Sequence, residues 1–335
     1  MCSFVGYIFF CKFTLYFAMF KVIYVLMFTM AGFCLVGCEG NPNIGKLVSQ
    51  QSTVGCTDPL ASNYNSNAKT GDCSCNYTFN STIGVAPTQF TKKVFIEKFT
   101  GAWCGWCPYG SDVVKAIEAA NPGKVAAVEV HQGDLMEVTT AYKYYESLFS
   151  SVGNFPFPSA LINRAPSIQA NQQLMEDRDQ WTANANAELT KTPILGLAIE
   201  TKPVDGLPTQ EQIMVKVAFA QTPTSDSQLI VYLVENNIIY RQYRYQVGGT
   251  GGYIDNYQHD KVFRKALTGV EGVLIPACGA QVGKTFTQMF KADLSGLQRN
   301  NCEIVAFVVN KSATATPMRV LNAQKVKLGE VKNWE

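Results

Sequence analysis

The sequence predicts an α/β domain followed by an all-β sandwich, and three observations predict it. Between residues 93 and 189, short apolar strands alternate with helically spaced segments. Beyond Pro193, alternating strand patterns separated by turn residues remain and no strong helix is visible. A Cys-x-x-Cys pair, Cys104 and Cys107, stands between the first strand and the first helix. Strand–helix–strand–helix–strand order implies an α/β layer with parallel pairing. The later strands imply a separate immunoglobulin-like sandwich. The expected domains are 88–191 and 193–331.

In the first of these, "KVFIEKF" (93–99) reads as a strand and "PYGSDVVKAIEAA" (108–120) as a helix with Val113, Val114, Ile117 and Ala120 at helical spacing. Asn121-Pro122-Gly123 stops that helix. "KVAAVEVH" (124–131) is the second strand, "AYKYYESLFSSVG" (141–153) a helix, and "FPFPSALIN" (155–163) the third strand. "QLMEDRDQWTANANAEL" (173–189) places Leu174, Arg178, Trp181, Ala185 and Leu189 on one helical stripe. The sandwich strands are expected at 194–200, 212–220, 228–236, 285–293, 302–310 and 318–328. No internal repeat is visible.

The N-terminus has its own character. "KVIYVLMFTMAGFCLVGC" (21–38) gives a lysine, an apolar run and small residues before Cys38, the layout of a secretory signal peptide. Leu35-Val36-Gly37-Cys38 resembles the lipobox of bacterial lipoproteins, in which the cysteine carries lipid and becomes the new N-terminus. Residues 1–37 are apolar enough to span a bilayer, but Lys12 and Lys21 interrupt the run, and Met19 is positioned as an alternative start. The mature protein is expected to be anchored by acyl chains, each worth about 0.8 kcal/mol per buried methylene. Residues 38–54, polar and rich in Gly, Asn, Ser and Gln, read as a tether.

Loss of residues 1–37 removes two lysines and no acid, leaving 26 basic and 26 acidic side chains. A balanced chain with no basic stretch argues against a nucleic-acid partner.

Export places the remaining cysteines in an oxidising compartment. Cys278 and Cys302 lie alone in the C-terminal half and are most simply one bridge; Cys104 and Cys107 are local to each other. Cys56, Cys73 and Cys75 leave one odd thiol. "GCTDPLASNYNSNAKTGDCSC" (55–75) resembles a short cysteine-bounded module of exported proteins, which spans 55–78 here. The resemblance implies Cys56–Cys75, although Cys73 stands where the family has glycine and leaves Cys56–Cys73 open. Asp58, Asn63, Asn65, Asn67 and Asp72 offer oxygens for a weak calcium site, but turn geometry explains the same residues more simply.

The pair itself has three possible roles. Zinc needs two further ligands, and only His131, His259 and isolated cysteines are available, so no metal is assigned. A structural disulfide is the second possibility. The third is thiol–disulfide exchange: a helix N-terminus favours the thiolate, so Cys104 would attack and Cys107, one turn in, would resolve. Trp103 and Trp106 precede the two cysteines. "AWCGWCP" resembles the active site of the thioredoxin superfamily, which implies a thioredoxin-like fold and a cis-proline facing the pair. Pro158 is the candidate, with Pro156 second. The sequence departs from thioredoxin at the position six residues before the nucleophile, where Lys98 replaces a buried carboxylate and Glu97 stands beside it. His131, ending a strand, is a candidate neighbour of the pair, or an ordinary loop histidine.

Across the chain, "FIEKFTGAWCGWCP", "FPSALINR", "IVYLVENNII", "YQHDKVFRKALTGVEG" and "CEIVAFVVN" resemble the outer membrane protein twenty-eight-related lipoproteins, over roughly residues 90–330. The resemblance implies an outer-membrane lipoprotein but brings no substrate. Tyr257, His259 and Arg264 carry the match in one motif, as a partner-binding surface or a structural loop. Two functions follow: a membrane-anchored thiol–disulfide oxidoreductase acting on protein thiols, or a non-enzymatic surface lipoprotein whose β domain binds a partner and whose Cys pair is structural. Neither implies a cofactor.

Overall fold

The computed structural model describes residues 53–148, 156–167, 177–311 and 318–335. The expected signal peptide and Cys38 lie outside these residues, as do expected helical positions 149–153 and 173–176.

In the cysteine-bounded module, β1 (Val54–Gly55) and β2 (Thr70–Gly71) pair in parallel. Its Asx side chains accept backbone bonds. Leu60 N–H donates to Asp58 Oδ1, Asn67 N–H to Asn65 Oδ1 and Ser74 N–H to Asp72 Oδ1. These oxygens build turns, and no metal-ligating cluster occurs among the described residues.

The next elements are β3 (Val94–Thr100), α1 (Cys107–Ala120), β4 (Val125–His131), α2 (Thr139–Leu148), β5 (Ser159–Ile162) and α3 (Trp181–Leu189). α1 begins with Pro108 in its first turn, where a missing N–H has no helical partner. It ends at Asn121, whose N–H returns to Ile117 and Glu118 carbonyls; Gly123 then takes φ +74°. Long strands follow: β6 (Leu195–Val204), β7 (Leu207–Phe219) and β8 (Asp226–Glu235). A hairpin of β9 (Ile238–Arg244) and β10 (Gly252–His259) comes next, then β11 (Val262–Ala266), β12 (Val273–Ile275), β13 (Thr285–Asp293), β14 (Cys302–Lys311), β15 (Val320–Lys327) and β16 (Val331–Lys332).

The strands do not separate into an α/β layer and a sandwich. One eight-stranded sheet runs β15-β14-β8-β11-β4-β3-β5, with β12 also on β8. Its splice is Val262 of β11, paired in parallel to Glu129 on one side and antiparallel to Glu235 on the other. β5 is antiparallel to β3. The expected thioredoxin-like α/β domain followed by an independent immunoglobulin-like sandwich is therefore corrected: the described residues form a predominantly β structure with three α-helices, and strands from both halves share one sheet. Hydrogen bonding across β11 links segments that local periodicity reads as separate layers.

Strand alternation sorts the core. Leu229, Val231 and Leu233 face the four-stranded sheet β13-β7-β6-β16, with Ile199, Val215 and Phe290 opposite. Val94 and Ile96 turn to α1 and α3, meeting Val114, Ile117 and Trp181. Phe95, Phe99, Tyr232 and Phe307 fill the opposite face with Tyr145 of α2. Within that face, Arg164 is fully buried and forks onto Glu97, Nε to Oε2 at 2.7 Å and Nη2 to Oε1 at 2.6 Å.

The disulfides also require a correction. Cys56 bonds Cys75, but Cys278 bonds Cys73 rather than Cys302. Cys73 adopts φ 63° and meets the loop after β12, where Cys278 lies against the Gly71 carbonyl. Cys302 points from the start of β14 into the inter-sheet core and is free. Burial, then Glu235, pushes its thiol up to about 12.

Candidate functional site

Thr100 ends β3 and the chain turns through residues 101–106, which carry Cys104, into α1, whose first residue is Cys107. The two are joined, with S–S 2.05 Å and Cα–Cα 5.4 Å. They are 4% and 0% exposed.

The β9–β10 hairpin packs over the loop that carries them. Tyr243 N–H donates to the Ala102 carbonyl at 2.7 Å and Tyr245 N–H to the Gly105 carbonyl at 3.0 Å, so β9 extends its ladder onto the cysteine loop. Gln242 turns inward, and its Nε2 lies 3.0 Å from the Cys104 carbonyl and 3.2 Å from that of Gly101. The Tyr245 ring covers Gly105 so closely that a Cβ there would lie 2.3 Å from Cδ2. Tyr109 Oη then donates to the Tyr245 carbonyl at 2.8 Å.

The rim stays open to solvent. Trp106 is 43% and Tyr245 40% exposed, their rings 5.2 Å apart. Arg178 lies over Trp106 and Tyr109, Arg244 over Tyr109, and Arg241 over the exposed ring of Tyr253. Trp103, also exposed, packs on Phe157 and donates Nε1–H to the Gln132 carbonyl. The Phe157–Pro158 peptide is cis, and Pro158 packs against Gly110, in the first turn of α1.

The remaining candidates divide by face. Glu97, bound to Arg164 and Tyr145, points away from α1 and plays no part at the disulfide. Lys98 points under α1, where its ammonium meets Ser111 and lies 2.9 Å from Glu129. Burial lowers the Lys98 pKa; burial raises that of Glu129, but the Lys98 charge brings it below the ordinary carboxylate range. His131 Nδ1 is 2.8 Å from Asp134 Oδ2, and the same oxygen accepts the Ala102 N–H at 2.7 Å. His131 thus braces the loop just before Cys104. Tyr257 and His259 meet edge to face on β10, their ring centroids 4.8 Å apart, whereas Arg264 pairs with Glu235 in the sheet. Sequence reasoning missed Gln242, Tyr243 and Tyr245. Their signal was two alternating runs flanking Gly248-Gly249-Thr250-Gly251-Gly252.

The sequence matches the family described as "Outer membrane protein Omp28" over residues 143–332. The chain belongs to the Omp28 family. It is an exported, outer-membrane-associated protein. Among solved structures, this Omp28 member is similar to HBP35 of Porphyromonas gingivalis: 21% identity, TM-score 0.56, covering 71% of this chain and 76% of that one. A protein of Agrobacterium tumefaciens gives 12% identity and TM-score 0.44, covering 72% and 96%. A domain of the outer membrane lipoprotein Omp28 from Porphyromonas gingivalis gives 18% and 0.27, covering 42% and 99%. No curated protein matches the chain. The likeness to HBP35 speaks to the fold alone.

Proposed function

We propose that this Omp28-family protein is a non-enzymatic surface lipoprotein, tethered through lipid on Cys38, that binds a protein partner on the outer face of the β9–β10 hairpin and its rim. The Cys104–Cys107 disulfide serves as a structural staple for the loop beneath. One observation carries the reading: the hairpin packs on the loop of the two buried cysteines while leaving Trp106, Tyr245 and Tyr253 exposed beside three arginines. Exchange requires a thiolate to reach a disulfide sulfur, and the cover blocks that approach. Exposed Trp, Tyr and Arg are the residue types that dominate binding energy at protein interfaces. No nucleic-acid partner is invoked.

The test is a photo-crosslinking residue placed at Tyr245 or, as a remote control, at exposed Leu207 of β7, in full-length protein in its host. Discrete adducts at Tyr245 alone support the reading; adducts equal at both positions, or at neither, reject it. A reduction potential below about −300 mV marks the pair as structural.

A second reading, a thiol–disulfide oxidoreductase, is favoured by the place of Cys107 at the start of α1, where the helix terminus stabilises a thiolate. Replacing Cys107 with serine and finding proteins disulfide-trapped on Cys104 in the host would establish it instead.

A further inference from the structure

The chain has two histidines, and the fold brings them into contact. His131 ends β4 and His259 ends β10, the hairpin strand farther from the cysteine loop. Their ring centroids are 5.4 Å apart at 70°. They are 1% and 3% exposed. Asp134 takes up His131 Nδ1, and neither His131 Nε2 nor His259 Nε2 has a hydrogen-bond partner. Two imidazoles with orphaned buried nitrogens therefore form one of the contacts between hairpin and core.

We propose that the β9–β10 hairpin is an acid-released cover, which protonation of His259 against His131 unseats from the 101–107 loop, exposing the Cys104–Cys107 disulfide.

The groups facing His259 decide the direction. His131 and Glu129 come from β4, Asp134 from the following loop, Lys98 from β3, and Tyr257 from its own strand. Burial first, then His131, holds His259 down at about 4 against an ordinary 6.5; Lys98 acts with them, Glu129 and Asp134 against. Glu129 is already committed to Lys98, and Asp134 to His131 and the Ala102 N–H. An imidazolium at His259 would carry an unpaired N–H into a buried site, which opening would hydrate.

A base whose pKa is lower closed than open takes up a proton on opening. The closed state is therefore fully favoured above about pH 6.5 and loses ground as pH falls towards 4. With those two values, the open fraction rises roughly thirtyfold between pH 7.5 and pH 5. The Lys115–Asp260 pair, 3.3 Å, is a hairpin tie that persists at pH 5. Burial raises Asp260, but Gln258 and the Asn237 N–H hold it below the ordinary carboxylate range.

The test uses the full chain in detergent and a phosphine reductant, following Cys104–Cys107 by alkylation and peptide mass. Wild type and His259→Gln are compared at each pH, so the reagent's own pH dependence cancels. The expected ratio of wild-type to variant reduction rates climbs about thirtyfold from pH 7.5 to 5; a flat ratio overturns the proposal. If His259→Gln does not fold, hydrogen exchange in the wild type decides. Protection of the Tyr243 and Tyr245 amides, corrected for intrinsic exchange, should fall by the same factor over that range. Unchanged protection rejects the acid-released cover.

Discussion

Tyr245 occupies the space that a side chain on Gly105 would need: an ideal Cβ at residue 105 falls 2.3 Å from Tyr245 Cδ2. The glycine between the two cysteines is thus a seat for a ring delivered from 140 residues downstream. Gly105→Ala should displace Tyr245 and cost about 1–3 kcal/mol by overpacking. Urea denaturation should show that cost shrinking by at least ~1 kcal/mol in a Tyr245→Ala background, because neighbours in contact are not additive. Equal costs in the two backgrounds would refute the seat.

Gln242 ties the hairpin to two carbonyls of the cysteine loop. Gln242→Glu keeps the shape but sets a carboxylate against those oxygens. Loss of the donors, with buried acceptors left unmet, costs about 1–3 kcal/mol. Reduction of Cys104–Cys107 at neutral pH should accelerate about tenfold or more, and an unchanged rate would show that the hairpin does not guard the disulfide.

Glu97 and Arg164 form a buried pair; burial works to lower the pKa of the guanidinium, but the Glu97 charge and its hydrogen bonds leave it well above its ordinary value. Glu97→Gln removes one partner only and should destabilise by about 3–5 kcal/mol, measured by thermal or chemical unfolding. The reason is an uncompensated cation beside Tyr145 and Phe307.

The disulfide pattern makes a chemical prediction. Peptide mapping of the unreduced protein should recover Cys73 linked to Cys278, and Cys302 should react with a thiol reagent only after unfolding. Replacing Cys73 and Cys278 together with serine should cost about 2–4 kcal/mol and loosen the module. Recovery of Cys278 linked to Cys302 would overturn the connectivity.

Much of the site's local structure is legible in the residues. Asn121-Pro122-Gly123 ends α1 close to where turn chemistry places the stop, and the 285–293 strand is found with those bounds. That Glu97 and Lys98 face opposite sides of the sheet follows from strand alternation, but which of them lies beneath α1, and what each meets there, does not. Ser111 and Glu129 reach Lys98 through a helix and a neighbouring strand, and Arg164 reaches Glu97 from beyond β5. Cys278 and Cys302, neighbours in sequence, do not pair, because the register of β14 turns Cys302 into the core while Cys278 meets Cys73.

By itself, the sequence determined the three helices in outline and the long strands outside residues 238–275, the Cys-x-x-Cys at a helix start, and kinship to a family of exported outer-membrane proteins. These rest on local spacing, turn residues and motif content, which need no folding to be read. Tertiary structure alone decided that β11 fuses two expected domains into one sheet, that a hairpin packs over the disulfide loop, and that the chain's two histidines meet. Those outcomes depend on hydrogen-bond register and packing between segments more than 100 residues apart, for which a one-dimensional pattern carries no period.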